Sequence, residues 1–137
     1  MKPEDCIFFN LAKASQAGTK FWAEKVARYH VTAVQGMVIN FLYDDDHITS
    51  GDLGKMTGLD SATLTGILDR LEAAGLVERK RHPDDRRAIQ VCLTPRGKDI
   101  AAKTHSLIDQ ANQEFLSRLN SKERDEFKKL LKKVRAQ

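Results

Sequence analysis

Seven cations crowd one short stretch of this 137-residue chain. Arg79, Lys80, Arg81, Arg86, Arg87, Arg96 and Lys98 face only two acids, Asp84 and Asp85, so the segment carries +5 and the remainder −1, for a net +4. Charge gathered on one element suits the neutralisation of phosphates, because each contact with a duplex releases condensed counterions. A second set of residues lies just upstream. On a helix-period segment, Leu64, Ile67, Leu68, Leu71 and Ala74 form an apolar stripe and leave Ser61, Ala62, Thr63, Thr65, Gly66, Asp69, Arg70 and Ala73 on the other face. A merely solvated face more often carries Lys and Glu. Short side chains let a backbone approach base edges, and threonine offers them both a methyl and a hydroxyl. The plainer alternative is a basic hairpin that is solvated and has no partner.

Other reactive residue types do not gather. No glycine-rich phosphate loop, nucleophile elbow or metal-protease helix is present, and Cys6 has no histidine beside it in sequence, which argues against an enzyme. His105 and Asp109 lie one helical turn apart and His47 follows three aspartates, yet no His-x-x-x-His or cysteine cluster accompanies them. No metal or other cofactor is expected. Cys6 and Cys92 make no disulfide framework and are expected to be reduced. With 41% apolar and 31% charged residues the composition is that of an ordinary globular domain. No apolar run reaches the ~20 residues that a membrane span needs, and the start MKPEDC lacks the sections of a signal peptide. The expected location is cytoplasmic, with no membrane partner.

The elements that must carry the cations and the small-residue face are readable from periodicity and capping. A first helix is predicted from Pro3 to about Arg28, with Ile7, Phe8, Leu11, Ala14, Ala17, Phe21 and Val26 mostly at three- and four-residue spacings. A second spans about Thr32 to Tyr43, and Thr49 caps a short third whose Thr-Ser-Gly-Asp opening has capping-box form. Gly58 closes the third, Asp60 caps the fourth, and Leu59 is placed to staple onto Leu64, which makes a helix-turn-helix. LVER and IQVCL then alternate as a two-stranded hairpin around a His82-Pro83-Asp84-Asp85 turn, with Ile89, Val91 and Leu93 on one face. Thr94 and Pro95 start a fifth helix running to about Asn120, and Ser121 caps a last one bearing Phe127, Leu130, Leu131 and Val134. The first, fifth and sixth helices carry apolar stripes with no obvious partner in so short a chain. A two-fold dimer would bury them and set two reading helices about one duplex turn apart; packing within one chain is the alternative.

These residues resemble the MarR family of winged-helix transcriptional regulators. The resemblance rests on VTAVQ (residues 31–35), DLGKMTGLDSATLTGILDRLEAAGLVERK (residues 52–80) and DDRRAIQVCLTPRG (residues 84–97), and with the flanking helices it covers essentially the whole chain. It implies a mainly α fold with a small β wing, one domain over 1–137. In it a winged helix-turn-helix at 30–97 is flanked by dimerisation helices at 1–29 and 98–137. It also implies a homodimer bound to double-stranded DNA, commonly a repressor, released from a palindromic operator by a small aromatic or phenolic compound or by oxidation. By position, Ser61, Thr63, Thr65 and Arg70 match the part that faces the major groove. Arg86 matches the arginine that enters the minor groove, and Arg87 a phosphate or aspartate-paired support. An ion pair of Arg86 with Asp84 or Asp85 is the alternative.

Two routes of release are open. A small apolar acid would bind where the first two helices meet the winged unit, near Phe9, Trp22, Tyr29, His30, Met37 or Phe41; plain core packing is the alternative for these aromatics. Cys6 would otherwise be a redox trigger like the N-terminal cysteine of hydroperoxide-sensing members, since a helix start lowers a thiol's pKa. Aligning Thr19-Lys20 brings Phe8, not Cys6, to the sensing position, and Phe21 and Gly36 replace the assisting tyrosines. A third class, a winged-helix adaptor for protein contacts, remains beside these.

Overall fold

The computed structural model describes residues 1–136. Its helices are α1 (Ile7–Val26), α2 (Ala33–Asp44), α3 (Ser50–Thr57), α4 (Ser61–Ala73), α5 (Pro95–Ser106), α6 (Ile108–Phe115) and α7 (Ser121–Arg135), with strands β1 (Ile48–Thr49), β2 (Val77–Arg81) and β3 (Ile89–Leu93). The fold is mainly helical with a small antiparallel sheet of strand order β1-β3-β2. Contacts group residues Met1–Leu107 into one compact unit and the described residues from Ile108 onward into another.

In the first unit, the core is built from Val26, Val38, Ile39, Leu42, Leu53, Leu68, Leu71, Val77, Val91 and Ala101, all at most 1% exposed. Burial of this apolar surface is the main force holding the unit together. Capping fixes where its helices begin. Thr32 and Gln35 close a reciprocal capping box on α2, Thr49 Oγ1 accepts from the Asp52 N–H at 3.1 Å, and Asp60 caps α4. Gly58 ends α3 at φ +74°, a backbone conformation that favours glycine, and so allows the tight turn into α4. Gly36 lets α1 approach α2 closely, since a Cβ there would lie 3.4 Å from Trp22 Nε1.

The joint between sheet and α5 is tighter still. Thr94 donates its N–H to the Leu76 carbonyl at 3.0 Å and its hydroxyl to the Gly75 carbonyl at 2.6 Å, while its oxygen accepts from the Gly97 N–H at 3.0 Å. A Cβ at position 97 would collide with the Leu76 carbonyl oxygen, which is why glycine follows Thr94-Pro95-Arg96.

Four elements differ from the sequence expectation. The first helix does not run unbroken from Pro3: a 3-10 turn (Pro3–Asp5) precedes α1, and Cys6 is extended between them. Asn10 Nδ2 donates to the Glu4 and Cys6 carbonyls and holds that junction. The sheet has a third strand, β1, with Ile48 opposite Val91. It is held by Asp46 Oδ1, which accepts from the His47 and Leu93 N–H groups at 2.9 Å each, and by a positive φ at His47. The fifth helix stops at Ser106 rather than near Asn120. Thr104 and Ser106 turn their hydroxyls back onto the carbonyls of Ala101 and Lys103, and the Leu107 N–H takes the tighter bond to Thr104. Such side-chain bonds compete with the helical ladder. Finally, β3 is buried on both faces at its base, with Cys92 only 2% exposed, whereas Ile89 at the tip is 39% exposed.

The second unit holds α6 and α7. The cap of α7 is Asn120 and not Ser121, which is its first helical residue: Asn120 and Glu123 form a reciprocal capping box, and Lys132, Lys133 and Arg135 lie in the last turn, favourable positions for both helix ends. No residue of α7 is buried, and Leu130, Leu131 and Val134 are 48%, 41% and 53% exposed.

Candidate nucleic-acid interface

The helix α4 is anchored by its inner face and free on its outer one. Leu64, Ile67, Leu68 and Leu71 are at most 3% exposed. At about 100° per residue the line opposite that stripe runs through Ala62, Gly66, Asp69 and Ala73, flanked by Ser61 and Thr65 on one side and Arg70 on the other. Ser61, Thr63, Thr65 and Arg70 are all exposed. Their hydroxyls are not equally available. Asp60 Oδ1 accepts from the Thr63 N–H at 2.8 Å, and Thr63 Oγ1 donates to Asp60 Oδ2 at 2.9 Å, so the Thr63 proton is engaged by the cap. These bonds, the backbone one first, hold the Asp60 carboxyl below its usual range. Thr65 likewise donates to the Ser61 carbonyl at 2.8 Å and is left with a methyl and acceptor lone pairs.

The hairpin's seven cations divide by what they touch. Arg79, in the middle of β2, is turned onto α4: its Nη2 pairs with Asp69 Oδ1, and its Nε and backbone N–H donate to Glu72 Oε2 at 3.2 and 3.1 Å. Bonds to Glu72 and then to Asp69 raise the guanidinium's already high pKa, and the Arg79 bond in turn lowers that of Glu72. Arg96 Nη1 donates to the Ala74 carbonyl at 3.2 Å and so satisfies the end of α4. Lys80 pairs with Glu78 at 3.3 Å, both more than half exposed. Arg81, Arg86, Arg87 and Lys98 have no ion pair among the described residues.

The wing tip shapes itself without using those guanidinium groups. The His82 N–H donates to the Ala88 carbonyl at 3.0 Å, the Asp84 N–H to His82 Nδ1 at 3.1 Å, and the Arg87 N–H to Asp85 Oδ1 at 3.0 Å. Asp85 thus spends its carboxylate on backbone, and Arg86 and Arg87 remain exposed. The intra-wing pairing of Arg86 does not form among the described residues.

Of the six residues suggested for a ligand, three lie against one core and Phe9 stands apart. Trp22, Tyr29 and Phe41 are half-buried against the core and Met37 is half-buried, whereas His30 is exposed in a left-handed turn at φ +59°. Phe9, 44% exposed, stands thirteen residues before Trp22 on α1, which is about 20 Å along a helix axis. A cleft of about 450 Å³ opens between α3 and α4, edged by Ser50, Lys55, Ser61 and Thr65. Cys6 is half-buried at the start of α1 with no side-chain capping bond. Cys92 has Sγ 3.0 Å from His47 Nδ1, and burial pushes its thiol up. No group of three metal-ligating side chains occurs, and no helix is long and apolar enough to cross a membrane, among the described residues.

Two features of this site escaped the sequence reading. The pairing of Arg79 was missed, although Asp69 and Glu72 stand three apart on one flank of α4 and signalled it. The His47–Cys92 contact joins residues 45 apart and left no local sign.

Residues 30–88 match the family described as MarR family. The multiple antibiotic resistance protein MarR of Escherichia coli (strain K12) is 36% identical over 112 residues, 81% of this chain and 78% of that protein. The chain belongs to the MarR family. It is a transcriptional regulator by that membership, in keeping with the expectation that it is not an enzyme. Among curated relatives at 31% to 36% identity, the chain spans from 52% to 93% of their own lengths. Solved structures of the family are similar over nearly the whole chain. Bordetella bronchiseptica BpsR, described for the regulation of its DNA binding by 6-hydroxynicotinic acid, has a TM-score of 0.92 at 28% identity and covers 100% of this chain and 98% of that one. A cysteine-to-serine mutant of Escherichia coli MarR, complexed with operator DNA, has a TM-score of 0.87 at 31% identity and covers 93% of this chain and 92% of that one.

Proposed function

We propose that this MarR-family chain is a homodimeric repressor that binds a palindromic operator and is released by a small aromatic ligand. The observation that carries the reading is one compact unit presenting an exposed small-residue face on α4 together with the guanidinium groups of Arg86 and Arg87, which are unpaired among the described residues. In this reading Ser61, Thr63, Thr65 and Arg70 face the major groove, Arg86 enters the adjacent minor groove and Arg87 holds phosphate. The engaged protons of Thr63 and Thr65 favour contacts through methyl groups and lone pairs, to thymine methyls or base amino groups. The operator complex of Escherichia coli MarR and the DNA binding of BpsR support the partner, and the 6-hydroxynicotinic acid of BpsR supports a small aromatic effector. Exposed Leu130, Leu131 and Val134 on α7 and Ile7 and Phe8 on α1 supply apolar surface for a two-fold partner.

The half-buried, uncapped Cys6 favours one second reading, a thiol switch opened by hydroperoxide. Selection of bound sequences from a random DNA pool, with and without small aromatic acids and peroxide, tests both. A palindromic consensus whose binding falls steeply with salt and is relieved by an aromatic acid is expected. Relief by peroxide that is absent in Cys6→Ser would favour the second reading. Failure to enrich any sequence at low salt would defeat both.

A further inference from the structure

The reading helix carries the wrong net charge for its task. Between Ser61 and Ala73, α4 holds Asp69 and Glu72 against Arg70 alone, a net −1 on an element that must lie among phosphates. Asp69 stands on the line opposite the buried stripe, and its side chain is 57% exposed, with that of Glu72 44% exposed. With a Debye length of about 8 Å at physiological salt, carboxylates so placed are not screened from a groove only about 12 Å wide.

Arg79 answers this from the neighbouring strand. Its side chain is 27% exposed, and it engages both carboxylates while its own backbone N–H adds a further bond to Glu72. A guanidinium bound to two acids has few donors left for a duplex, unlike those of Arg81, Arg86 and Arg87. We propose that Arg79 is a positioning residue that acts as the internal counter-charge of α4, cancelling Asp69 and Glu72 so that this helix can enter the groove. Its effect on binding is transmitted through those two carboxylates and not through a contact of its own. The raised pKa of Arg79 and the lowered one of Glu72 agree with a pair that stays charged throughout the neutral range.

This proposal rests on the DNA-reading role given above, and one set of titrations separates the two. The full chain and its variants are titrated against the selected operator duplex at matched salt, with circular dichroism and thermal melting as checks on folding. Arg79→Ala and the milder Arg79→Gln are expected to weaken binding at least tenfold while their spectra match the parent. Adding Asp69→Asn and Glu72→Gln to Arg79→Ala removes the uncompensated charge and should bring affinity back to within about threefold of the parent. Because removing two exposed acids strengthens any duplex contact, Asp69→Asn with Glu72→Gln in the Arg79 parent sets the reference: a triple variant as weak as Arg79→Ala, or a rescue no larger than the gain these two changes give the parent, would overturn the proposal. Parent-like binding by the single variants overturns it too. If Arg79→Ala does not fold, the triple variant is read against that reference: equal affinity supports the counter-charge and weaker binding rejects it. A parent that binds no duplex refutes the DNA-reading role itself.

Discussion

The helices α4 and α7 are built to one plan and end in opposite states. Each is capped by an Asx residue, and each lines up large apolar side chains at helical spacing. In α4 those side chains are at most 3% exposed, whereas in α7 Leu130, Leu131 and Val134 remain 41% to 53% exposed. Most of the chain's large aliphatic residues are used in the single core of the first unit. Within α7 the local supports are a capping box at one end and cations at the other. Fifteen residues held this way are marginal in water, so the apolar stripe is best explained by a surface that covers it.

This contrast can be broken at several points. The largest effect is expected at the buried helix: Leu71→Ala should cost about 2–5 kcal/mol, read as a lowered denaturant midpoint. Gly97→Ala should come next, at about 1–3 kcal/mol or more, because the new Cβ meets a backbone carbonyl that cannot rotate away. At α7 the same kind of change should act on assembly instead. Leu130→Asp with Leu131→Asp should shift the sedimentation coefficient from dimer towards monomer and leave the helical content of the remaining chain intact. A parent that already sediments as a monomer at micromolar concentration would remove the argument from α7. Arg86→Ala tests the exposed side of the contrast: operator affinity should fall about tenfold or more while thermal stability stays within about 0.5 kcal/mol of the parent.

The smallest expected effect is a pH dependence at the α4 cap. The folded state holds the Asp60 carboxyl below its ordinary value, so its contribution is fully present above the unfolded aspartate value near pH ~4 and is lost as pH falls through the lower folded one. Asp60→Asn, which caps about as well, should match the parent at pH ~7 and lose less stability on acidification. An identical acid profile for the two proteins would mean that this carboxylate does not contribute to the acid sensitivity.

What was legible in the sequence was local. Asp60, Gly58 and Thr94 mark their helix ends through bonds that reach only a few residues, and all three marks are where the structure places them. The third strand was not legible, because two residues carry no period and Ile48 finds Val91 only after the chain has folded back. The stop at Ser106 was hidden for a different reason, since a threonine and a serine within a good helical pattern do not announce where their hydroxyls will turn. At the candidate interface the cations were visible by type, yet their division was not. Counting seven positive charges cannot show that Arg79 and Arg96 face inward onto α4 while Arg86 and Arg87 face out.

The joint at Thr94 gives the wing and α5 a common mechanical fate. One hydroxyl bonds the turn that follows α4 to the head of α5, and the bare Cα of Gly97 rests where no spacer fits. A lever seated there has no slack: a tilt of α5 is delivered to the root of the hairpin instead of being absorbed by a loop. The tip can be retuned residue by residue, but the hinge that aims it tolerates almost no editing.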